Sequence, residues 1–190
     1  MPSLPPARRA SRPEIQPPAT PADSEEAGLL SAAMRSLRVQ GDARAALALL
    51  DERAARFPAG AFSAEAVALR VEALMALERS HEALAELDRL TPGDLPRGDE
   101  WTIVRGELRA GASRWLEAEA DFDAAWEGLA GGPASAGRLA ERALWGRATA
   151  RAWRGDRAGA RLDWGTYLRR FPQGRFTTEA TRLLRSSTAP

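Results

Sequence analysis

The chain has 190 residues, 44% hydrophobic and 28% charged, the range of folded globular domains, and no apolar run long enough to span a bilayer. It contains no cysteine, which excludes disulfides, thiolate metal sites and thiol nucleophiles together. The net charge of +1 hides an asymmetry, because residues 1–22 carry +2, residues 23–130 carry −9 and residues 131–190 carry +8.

Residues 1–22 hold seven of the 13 prolines and almost no large apolar side chain, so they predict a disordered arm or linker. Their arginines are not followed by an apolar stretch, so the chain as written shows no secretory signal. From Asp23 onward the sequence turns Ala/Leu-rich and helix-favouring, and residues 23–187 predict one all-α domain. Ala46, Ala83, Ala118 and Ala160 each stand one helical turn before a large apolar residue, namely Leu50, Leu87, Phe122 and Trp164. These alanines are 37, 35 and 42 residues apart, which marks a repeat of helix–turn–helix units. In the first two units an earlier helix carries one apolar stripe, Leu30, Ala33, Met34 and Leu37, then Val67, Val71 and Leu74. Turns are expected at Gly41-Asp42, Glu78-Arg79, Ser113-Arg114 and Gly155-Asp156, where glycine ends one helix and Asp caps the next.

A phrase repeats as well. Residues 56–66 read RFPAGAFSAEA and residues 170–180 read RFPQGRFTTEA, a separation of 114 residues that equals three unit lengths. Phe57 and Phe171 close a second helix, Pro58 and Pro172 stop it, and Gly60 and Gly174 let the chain turn. Ser63 and Thr177 are then expected to cap the next helix. After the second copy only one short helix fits, so the fold expected is an α-solenoid of four hairpins with a C-terminal capping helix.

The alanine-to-large-apolar step, with Pro58 and Pro172 eight residues after Leu50 and Trp164, resembles the tetratricopeptide repeat. The R-F-P-x-G joints look like those of bacterial envelope proteins of this type, the outer-membrane-assembly lipoproteins and Tol–Pal accessory proteins. They are also similar to repeat domains of some anti-sigma-type regulators. The resemblance implies a non-catalytic protein-binding module or scaffold with a concave groove for a peptide or partner protein. It implies a cell-envelope location if a signal or anchor precedes this chain, whereas the chain alone reads as cytoplasmic. Units three and four depart from the pattern by placing Arg105, Arg109, Arg147 and Arg151 where packing residues are usual. Lysine and asparagine are absent altogether, so the carboxylate clamp of some relatives has no usual counterpart.

Little else carries chemistry. The one histidine, His81, reads as an exposed turn residue, no phosphate-binding loop is present, and no catalytic residue, cofactor or metal is expected. The acidic run Glu117–Asp123 reads as a solvated helix face, with Ala118, Phe122 and Ala125 turned inward. Arg147, Arg151 and Arg154 fall on one helical stripe, which suits either a carboxylate or phosphate of a partner or pairing with the acidic repeats. Trp145 and Trp153 suit either packing or an aromatic peptide groove. The basic third, 131–190, leaves nucleic-acid binding as an alternative, and the opposed charges allow salt-sensitive self-association.

Overall fold

A computed structural model describes residues 21–129, 131 and 137–186. The expected N-terminal arm lies outside the described residues apart from Pro21 and Ala22, which open the first helix. Among the described residues the fold is all-helical, with α1 (Pro21–Arg38), α2 (Ala43–Arg56), α3 (Ser63–Ala76) and α4 (Ser80–Asp88) forming the first half. A 3-10 turn (Pro92–Asp94) leads to α5 (Gly98–Gly111), α6 (Trp115–Leu129), α7 (Gly137–Arg154), α8 (Arg157–Arg170) and α9 (Thr177–Ser186). Each helix packs on the next, and α1 also touches α3 as α5 touches α7. Ala46, Ala83, Ala118 and Ala160 are fully buried, and each lets the neighbouring helix approach the large residue one turn on.

The four turns share a left-handed residue. Gly41, Glu78, Ser113 and Gly155 all have positive φ, between 58° and 92°. Behind them the N–H groups of Arg79, Arg114 and Asp156 reach back five residues to the carbonyls of Leu74, Arg109 and Arg151, at 2.8–2.9 Å. Asp42 and Asp156 cap the following helices by accepting from Ala45 and Gly159 N–H, each at 2.9 Å. Where arginine replaces that Asp, the arginine pairs with a glutamate three residues on, Arg79 with Glu82 and Arg114 with Glu117. Ser113 holds a left-handed conformation that glycine takes without a Cβ clash. Ser113→Gly is therefore expected to stabilise the fold by about 0.5–1 kcal/mol, raising the melting temperature by about 1–4 °C in calorimetry.

The doubled phrase forms two joints built on buried glutamates. At the first, Glu26 of α1 is 1% exposed and accepts from Arg53 of α2, whose Nε lies at 2.8 Å. A Cβ on Gly60 would stand 2.0 Å from the Glu26 carboxylate, so glycine is needed for room rather than for its φ. At the second, Tyr167 stands 114 residues after Arg53 and donates its hydroxyl to Glu141 of α7 at 2.5 Å. Arg175 N–H donates to the same Glu141 oxygen at 2.6 Å, and a Cβ on Gly174 would meet it at 2.5 Å. Ser63 and Thr177 do not cap by accepting. Their hydroxyls donate back to the carbonyls of Gly60 and Gly174, at 2.7 and 2.8 Å, and so lock the turn.

Burial and the hydrogen bond to Glu141 push the Tyr167 hydroxyl up to about 12. The folded state holds the neutral phenol, so this contribution is intact below the unfolded value of about 10 and is lost as pH climbs through about 12. Tyr167 is the chain's one tyrosine, and a phenolate absorbance titration should show no ionisation near pH 10 until denaturant is added.

Candidate functional site

Arginines on the first helices of units two, three and four tie the hairpins together. Arg70 of α3 pairs with Glu86 of α4 at 3.3 Å and with Asp51 of the preceding hairpin's α2 at 2.5 Å. In the next unit Arg105 pairs with Asp121 of α6 at 2.7 Å, while Arg109 bridges Asp121 at 2.8 Å and Asp88 of α4 at 2.7 Å. In the fourth unit Arg147 bridges Asp163 of α8 at 2.7 Å and Asp123 of α6 at 2.5 Å. Arg151 joins Asp163 at 2.8 Å and Glu119 at 3.0 Å, and Arg154 lies 2.8 Å from Glu119. In all three units the carboxylate on the arginine's own hairpin comes 16 residues after the arginine. One unit before Arg70 the position is Ala33, buried, and no described hairpin precedes it to supply a second acid.

The acids at the centre of the third and fourth networks are shielded. Asp121 and Asp163 are each 4% exposed, so the run 117–123 is not the uniformly solvated face expected from its charge pattern. Burial opposes ionisation of Asp88, but hydrogen bonds from Arg114 and Arg109 outweigh it and hold the carboxyl below the ordinary range. Arg147, Arg151 and Arg154, singled out in the sequence as one stripe, are brought together, and their partners lie on α6 and α8 of the same chain. Arg147 also lies over the Trp126 ring, 5.7 Å from its centre.

Trp145 lines a groove of about 200 Å³ between α5 and α7. Its walls are Glu107 and Ala110 of α5 and Arg142, Gly146 and Thr149 of α7, with Phe122 of α6 as floor and Phe176 at one end. Trp145 stacks on Phe176 with centroids 4.5 Å apart and planes at 7°, and meets Tyr167 edge-on at 5.8 Å. Arg142 and Glu107 close the rim with a bidentate pair at 2.7 and 3.0 Å. No protein-family model and no curated protein matches the chain. Trp153 lies elsewhere, near the turn at Gly155, where it is 69% exposed and stacks on Trp115 at 5.4 Å. His81 sits exposed in the first turn of α4. Among the described residues no group of three His, Asp or Glu side chains converges as metal ligands would, and no helix is long and apolar enough to cross a membrane.

Phe176 and the buried glutamates are the residues that sequence reading missed. A signal existed for the glutamates, because Glu26 and Glu141 precede Gly60 and Gly174 by 34 and 33 residues.

Proposed function

We propose that the chain is a non-catalytic interaction module, four tetratricopeptide-like hairpins stacked as a short solenoid and capped by α9. The first helices share one face, and a peptide segment of a partner protein lies along it. The groove between α5 and α7 is the observation that carries this reading. It has an aromatic wall in Trp145 and Phe176, an apolar floor in Phe122 and a charged rim in Arg142 and Glu107. Binding by such a groove needs no reactive group. The role of Arg147 and Arg151 in it is to hold the hairpins in register, while Trp145 supplies the contact. The R-F-P-x-G joints support a partner within a bacterial cell-envelope or regulatory assembly.

Selection of displayed random peptides on the folded protein tests the reading. Enriched peptides should carry an aromatic or aliphatic anchor, and Trp145→Ala should weaken them roughly tenfold or more while Trp153→Ala leaves them unchanged. No enrichment, or equal binding to the folded Trp145→Ala variant, would overturn it.

A further inference from the structure

A second cavity, about 660 Å³, opens where the starts of α5 and α7 face the second joint. Four guanidinium groups line it from three separate stretches: Arg97 just before α5, Arg138 and Arg142 one turn apart on α7, and Arg175 in the joint. Against them stand two carboxylates, Glu100 and Glu141.

The carboxylates leave two of the four guanidiniums without an ion pair. Arg97 is neutralised by Glu100, its Nε at 2.8 Å, and Arg142 by Glu107 outside the cavity. Glu141 makes no ion pair with an arginine side chain: one of its oxygens accepts from the Tyr167 hydroxyl and the Arg175 backbone N–H, and its charge stays at the cavity wall. Arg138 and Arg175 therefore have no carboxylate partner among the described residues, and both are exposed. This contrasts with Arg105, Arg109, Arg147 and Arg151, each held by acids of its own chain.

One local contact positions a guanidinium. The Arg175 group lies over the Phe176 ring, 5.3 Å from its centre, which holds the fork in place without consuming its donors. In the first joint the position of Arg175 is Ala61, so the feature belongs to the second joint alone.

We propose that this cavity binds a phosphoryl dianion. Two guanidinium forks without a carboxylate partner offer donors to several oxygens at once, whereas a lone carboxylate would occupy one fork and leave the other unmatched. Forks that approach from different elements suit the oxygens of a tetrahedral group, which point in several directions. The cavity is separate from the aromatic groove except at Arg142, and the proposal stands whether or not the groove holds a peptide.

The test is calorimetric titration of the full chain at low ionic strength with inorganic phosphate and, separately, with N-acetyl-phosphoserine amide. One saturable site per chain is expected. The double variant Arg138→Gln/Arg175→Gln should weaken it roughly tenfold or more, the loss of two charge-assisted contacts. Arg157→Gln/Arg169→Gln, which removes the same charge from exposed arginines outside the cavity, should leave it unchanged. Tighter binding of the phosphoserine derivative would assign the dianion to a phosphorylated side chain, and equal or tighter binding of inorganic phosphate to a free phosphate. Binding that fails to saturate, or that both double variants weaken equally while circular dichroism shows them folded, would overturn the proposal as diffuse attraction to the basic end.

Discussion

Asp163→Ala is expected to destabilise the protein by about 3–5 kcal/mol, read as a fall in the urea midpoint at constant slope. Asp163 is 4% exposed and receives Arg147 through two nitrogens, at 2.7 and 3.1 Å, and Arg151 through one at 2.8 Å. Removing it leaves two guanidiniums at the seam between α7 and α8 with one carboxylate group each, Asp123 and Glu119, on α6. Those groups were taken out of water on folding, and the lost partner no longer offsets that cost. The expectation separates a buried network from a surface pair. Glu179→Ala, which removes the partner of the exposed Arg182, should leave the urea midpoint essentially unchanged. The triple variant Arg147→Met/Arg151→Met/Asp163→Leu should recover most of the loss, since apolar replacement of a network's buried members is often neutral, Asp123 is largely exposed and Glu119 keeps Arg154. A loss below about 1 kcal/mol for Asp163→Ala would show that solvent reaches the seam.

The helices and their punctuation were legible because their causes are local. A left-handed turn needs a residue at one place, and Gly41, Glu78, Ser113 and Gly155 follow the 37, 35 and 42 spacing of the alanines. The closing roles of Phe57 and Phe171 are equally local, since each caps its own helix. The pairing of Arg147, Arg151 and Arg154 with the acidic repeats was one of two readings of that stripe, but the particular partners of most buried charges, whose cause sits on another helix, escaped. Asp121 looks like a member of a solvated acidic face until Arg105 and Arg109 of α5 are placed against it. Glu26 finds its donor in Arg53, 27 residues away, so nothing beside it in the chain signals burial. The glycines of the two joints were recognised, but for their backbone freedom; what they supply is the space that the Glu26 and Glu141 carboxylates occupy. Trp145 was singled out, yet its stacking partner Phe176 lies beyond the next helix, α8, and was not paired with it. The constant offset of 16 between Arg70 and Glu86, Arg105 and Asp121, and Arg147 and Asp163 is a long-range regularity that aligning the units would have exposed.

Phe122→Ala is expected to cost about 3–5 kcal/mol and, unlike the loss of Asp163, to damage the groove as well. Phe122 is 2% exposed and belongs to the same buried cluster as Ile103, Ala125 and Ala143. Its ring is received by two glycines on the helices either side. A Cβ added to Gly106 of α5 would stand 3.0 Å from the ring, and one added to Gly146 of α7 would stand 2.5 Å from it. The close approach of α5, α6 and α7 therefore depends on one large side chain meeting two absent ones, so its removal opens a cavity that rigid helices fill poorly. Gly146→Ala attacks the same contact from the other side and should cost about 1–3 kcal/mol, because the ring must leave its position. The two changes interact. In the double variant Phe122→Leu/Gly146→Ala the added methyl enters space that the ring vacated, and the combined loss should be smaller than the sum of the separate ones. Additive losses in denaturant titrations would mean that the ring and the glycine are not in contact, and the groove floor would have to be assigned to other side chains.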